Sequence, residues 1–115
     1  MSSDQKGHAY LDAAEGLSRI GGNKALFSRL LDTFLKDKNW EKLCGFWAED
    51  NFDEAAKCAH AIKGICANLS MKSLYETSGE LEQSLKAGQK DEALLEAARL
   101  SRDDTLVAID VFKAG

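Results

Sequence analysis

Proline is absent from this chain of 115 residues. Nothing in it locks φ or removes a backbone donor from within a helix, so uninterrupted helix is the expected backbone state. Long apolar runs are missing too: none approaches the roughly 18 consecutive residues of a membrane span. The opening Met1 to Gly7 is polar and lacks the apolar stretch of a secretory signal, which places the expected chain in the cytoplasm and off the membrane. Cysteine is sparse. Cys44, Cys58 and Cys66 are odd in number and no two stand at CxxC spacing, which argues against a disulfide framework and against a zinc site. Basic residues are outnumbered 15 to 19, for a net charge of -4, so the basic stripe of a nucleic-acid binder is lacking.

What is present points to helices. Ala, Leu, Lys and Glu, all strong helix formers, are abundant, and 44% of the residues are apolar. The length suits one domain. A short helix is expected over Tyr10 to Ile20, stopped by Gly21 and Gly22. Asn23 can cap the next, with Leu26, Phe27, Leu30, Leu31, Phe34 and Leu35 on one broad stripe. Trp40, Leu43, Cys44, Phe46 and Trp47 follow as a further helix or a bent continuation. Asn51 with Glu54 reads as a capping box opening the helix from Phe52 to Leu69. Ser70 can cap a helix carrying Met71, Leu74, Tyr75, Ser78, Leu81 and Leu85, ended by Gly88. The last helix runs from about Asp91 to Phe112, with Leu94, Leu95, Ala98, Thr105, Ile109 and Phe112 inward. Short connections imply antiparallel neighbours. The expectation is an all-α fold: an up-and-down antiparallel four-helix bundle over residues 10–113 with a short additional N-terminal helix, preceded by a flexible N-terminus, residues 1–9.

The segment from Phe52 to Leu69 carries the sharpest signal. On an ideal wheel centred on Ile62, the residues Ala55, Cys58, Ala59, Ile65, Cys66 and Leu69 fall within about 60° and form an apolar face. Cys58 and Cys66 thereby read as small buried hydrophobes. His60 falls about 160° away, pointing outward. Its neighbours at helical spacing are Ala56, Lys63, Gly64 and Ala67. A merely solvated face would carry long charged side chains. A mid-helix glycine costs about 1 kcal/mol relative to alanine, so Gly64 needs a compensating reason, and close approach of another molecule is one. Lys63, one turn from His60, can stabilise an anion attached to the imidazole.

At these residues the sequence resembles the histidine-containing phosphotransfer (HPt) domain. The likeness rests on Ala59-His60, Lys63-Gly64, Asn68-Leu69-Ser70, Leu74 and Leu81-Glu82, and on the earlier run from Gly16 through Asn23 to Leu31. The resemblance implies a helical bundle displaying one phosphorylatable histidine. His60 would take a phosphoryl group from a receiver-domain aspartate and pass it to another receiver. Lys63 would stabilise phosphoryl charge, and Glu82 would orient the ring by accepting from Nδ1–H, leaving Nε2 as nucleophile. Ala56, Lys57, Gly64 and Ala67 would form the docking surface. The implied partners are receiver domains of response regulators or hybrid histidine kinases, met by a monomer. No cofactor or metal is expected on this chain, magnesium being expected on the receiver. Ser70 stands where the family often has glycine, which predicts an altered turn.

Four other readings compete. A histidine-kinase dimerisation domain usually follows its histidine with an acidic residue and then proline, whereas Ala61 follows here; no glycine-rich ATP-binding block is present, so autonomous kinase activity is not expected. The phosphoacceptor domain of a chemotaxis-type kinase shares the His-x-x-Lys-Gly pattern and the glutamate, and would be loaded by ATP through another domain. A non-catalytic helical adaptor could use the same face without chemistry. A haem- or metal-binding bundle would need a second inward ligand, and His8 is the only other histidine.

Overall fold

The computed structural model describes residues 9–115, so His8 and all but the last residue of the expected N-terminal segment lie outside the described residues. Among the described residues, six helices follow one another from Ala13 onward: α1 (Ala13–Arg19), α2 (Lys24–Lys36), α3 (Asn39–Ala48), α4 (Phe52–Leu69), α5 (Lys72–Lys86) and α6 (Glu92–Ala114). There is no strand among the described residues, and no helix among them is long and apolar enough to cross a membrane. The fold is all-helical.

The helix boundaries follow from local chemistry. Asp12, Asn23, Asn51 and Asp91 each accept a backbone N–H in the first turn of the helix they precede. Gly88, at φ +73°, provides the left-handed residue just past the end of α5. The block rich in aromatics is a separate helix rather than a continuation of α2. Asp37 adopts an extended backbone, and its carboxylate accepts from the Asn39 backbone N–H at 2.8 Å and its side-chain amide at 2.9 Å. These bonds break the helix and start the next. Within α3, Leu43 and Trp47 are buried, Trp40 and Phe46 half-buried, and Cys44 exposed.

The core runs along α4, which packs against α3 on one side and α5 on the other, with α5 in turn against α6. Phe27, Leu31, Leu43, Leu74, Leu81, Leu85 and Ile109 are fully buried within it. Phe27 meets Phe112 edge to face, 5.4 Å between ring centres, which fixes the end of α6 on α2. Cys58 and Cys66 are buried, and burial pushes the Cys66 thiol up to about 12, so it behaves as an inert apolar group. Two stripe positions depart from the expected core: Leu35 and Tyr75 are exposed, lying at the margins of broad apolar faces whose centres the neighbouring helices cover.

Ser70 does not cap α5. It ends α4 in the left-handed conformation, φ +58°, where its N–H bonds to the Cys66 carbonyl, and Met71 begins α5 without a side-chain cap. Its hydroxyl donates instead to Glu15 at 3.0 Å. A left-handed position ordinarily favours glycine, so serine is held here by a tertiary hydrogen bond.

Candidate functional site

Helix α4 positions the site. Asn51 Oδ1 accepts from the Glu54 N–H at 3.4 Å, and Asp53 and Glu54 sit favourably in the first turn. The capping box is only half formed: the Asn51 N–H already donates to the Phe46 carbonyl at 2.9 Å, and the Glu54 carboxylate pairs with Lys57 at 3.2 Å. Ala55, Cys58, Ala59, Ile62, Cys66 and Leu69 are buried, with Ile65 at the margin. His60 lies opposite, its side chain 72% exposed.

The expectation for Ala56 needs correction. It is only 5% exposed and does not belong to an open face. It forms part of a hollow with Asp53, Lys57, His60, Glu82 and Lys86, in which longer side chains from α4 and α5 stand around a single methyl group. Lys57 rims the same hollow and is exposed. Gly64 and Ala67 are exposed farther along α4, and the Ala67 carbonyl accepts from Arg19 of α1.

Glu82 is brought to His60 from α5. Its carboxylate is 5% exposed, and Oε2 lies 3.0 Å from Nδ1 of the ring. A glutamate so enclosed is not a surface residue by default. The same oxygen accepts from Nζ of Lys86 at 2.9 Å. Burial pushes the Glu82 carboxyl up, but the hydrogen bond from Lys86 and the charge of His60 outweigh it, and the carboxyl sits below its ordinary range. An ionised carboxylate can only accept, so Nδ1 is the donor in this bond.

Lys63 is half-buried and turned across α5 rather than bonded to His60. Its ammonium lies 5.5 Å from the centre of the Tyr75 ring, and its stem passes over Gly79. A methyl group added at Gly64 would meet nothing within 4 Å, so no contact inside the molecule requires glycine there. Among the described residues, no three His, Cys, Asp or Glu side chains are gathered to hold a metal ion. The sequence reading missed Lys86, although a glutamate followed four residues later by lysine on one helix is a legible pair.

The geometry is that of an all-helical protein presenting one carboxylate-bonded imidazole on an outer helix face. A family model described as the Hpt domain matches residues 26–109, a span from early α2 to late α6, and the chain belongs to that family. Hpt domains are histidine phosphotransfer domains of two-component signalling, phosphocarriers that interact with receiver domains. No curated protein and no solved structure matches the chain.

Proposed function

We propose that His60 is the phosphoacceptor of a phosphorelay intermediate, and that the bond between its Nδ1 and Glu82, on a side chain otherwise open to solvent, is the observation that best supports this reading. In this reading the longer helices form an up-and-down antiparallel four-helix bundle, with a short additional N-terminal helix.

Nε2 attacks the phosphorus of a receiver's aspartyl phosphate. The N–P bond forms as the acyl P–O bond breaks, and the aspartate leaves as a carboxylate. Nδ1 keeps its proton, and the positive charge that develops on the ring is met by Glu82. Transfer to a second receiver runs the same steps in reverse. Such transfer needs alignment and charge stabilisation more than covalent machinery, which suits so small a site. Lys63 leaves the Tyr75 face to meet the phosphoryl oxygens. Lys57, Gly64 and Ala67 form the docking surface, with Ala56 as its recessed floor. The protein works as a cytoplasmic monomer without a cofactor of its own and without autonomous kinase activity, the magnesium ion belonging to the receiver.

The test is phosphotransfer from a phosphorylated receiver to the wild type and to His60→Gln, followed by acid treatment. Wild type alone should gain acid-labile phosphate, and the variant should keep its melting temperature because the side chain is exposed. Phosphate on the variant would overturn the assignment. Glu82 is also the residue shared with the chemotaxis-type phosphoacceptor reading, and loading only by a kinase domain with ATP would favour that one.

A further inference from the structure

One carboxylate oxygen at this site serves two partners. Oε2 of Glu82 receives Nδ1–H of His60 at 3.0 Å and Nζ of Lys86 at 2.9 Å. A buried carboxylate beside an imidazole has two opposed effects on a nucleophilic ring. Its hydrogen bond fixes the orientation and the tautomer, while its charge favours the protonated ring, in which Nε2 has no lone pair to offer. A cation on the same oxygen separates these effects, because it offsets the charge without displacing the hydrogen bond. We propose that Lys86 is a positioning residue for His60 acting through Glu82: it lets the carboxylate orient the ring without holding it protonated.

The surroundings leave this role to Lys86. The charged and titratable groups lining the hollow are Asp53, Lys57 and His60 from α4 and Glu82 and Lys86 from α5; α3 and α6 contribute no described residue to its lining. Lys57 pairs with Glu54, and Lys63 rests on Tyr75. Lys86 itself is 65% exposed, so its ion pair contributes little to stability. An exposed lysine that adds little to the fold yet bonds the buried partner of the exposed histidine is better explained by its effect on the ring.

The consequence for phosphotransfer rests on the reading of His60 given above; the electrostatic link does not, and the experiment keeps them apart. NMR titration of the His60 ring is recorded on the full chain for wild type, Lys86→Gln and Lys86→Arg, alone and in a Glu82→Gln background. Receiver-dependent loading is measured across the same pH range, with thermal unfolding alongside. Lys86→Gln should move the ring's titration midpoint to higher pH and carry the loading profile with it, at unchanged melting temperature. Lys86→Arg should restore both, and in the Glu82→Gln background Lys86→Gln should have no further effect. An unmoved midpoint in Lys86→Gln, or an equal shift with and without Glu82, overturns the proposal. Phosphate acceptance by His60→Gln would instead overturn the functional reading while leaving the titration result standing.

Discussion

Helix α4 is fastened at its C-terminal end and left open at its middle. At the end, polar groups are satisfied from within the molecule. The Ser70 hydroxyl bonds Glu15, Lys72 reaches Glu15 at 3.2 Å and Asp12 at 3.4 Å, Arg19 bonds both Glu15 and the Ala67 carbonyl, and the Asp12 N–H donates to the Ser70 carbonyl. Around His60 the ring is exposed, and Gly64 faces open space. The residues of the first region are explained by the fold that they hold together. In the second, the imidazole has an internal partner in Glu82 yet stays open to solvent. A pair of helical glycines states the same contrast: Gly16 is demanded by the core, and Gly64 by nothing inside it.

Substitutions can break the contrast. The largest effect on stability is expected at Gly16. A Cβ there would stand 2.6 and 2.8 Å from ring atoms of Phe27, which is fully buried and locked against Phe112. Overpacking of this kind costs about 1–3 kcal/mol, more than the helix propensity gained, so Gly16→Ala should lower the unfolding free energy in denaturant titration. At Gly64 the sign reverses. Gly64→Ala should stabilise the protein by about 1 kcal/mol in the same assay while slowing loading by a receiver, and an unchanged loading rate would remove Gly64 from the docking surface.

A smaller effect is expected at the fastened end. Ser70→Ala keeps the left-handed strain and loses the bond to Glu15, so the melting temperature should fall by a few degrees. The Glu15 carboxyl, held low chiefly by the Ser70 hydroxyl and then by Lys72, should titrate higher in NMR. The smallest effect belongs to pH. Because the folded Glu82 carboxyl sits below its ordinary value of 4.5, its contribution to stability is present above that pH and is lost as pH falls through the folded value. The stability difference between wild type and Glu82→Gln should therefore shift against wild type on acidification below about pH 4.5 in denaturant titrations, and a difference independent of pH would contradict the pairing.

How much of this was legible in the sequence depended on whether the cause was local. The orientation of His60 followed from helical angle alone, as did burial of Cys58 and Cys66. Angle misled at Ala56, because a wheel shows direction but not the reach of Glu82 and Lys86 from the next helix. Propensity misled at Ser70: serine is a good helix start, and its actual role depends on a partner 55 positions away. The break between α2 and α3 depended on the Asp37 side chain turning to Asn39, a contact that apolar periodicity does not register. Glu82 was legible only through resemblance, since nothing in its own helix marks a buried carboxylate.

The separation in sequence of these ties also orders events in time. The pair of His60 and Glu82 closes a loop of 22 positions within two helices adjacent in the chain, whereas Ser70 and Glu15 close one of 55. Short-range contacts recover their loop-closure entropy sooner, so contact-order reasoning has the α4–α5 hairpin assemble first and α1 clasp its turn afterwards. The imidazole and its carboxylate thus sit on the unit expected to form earliest, while the N-terminal clasp arrives as a late seal.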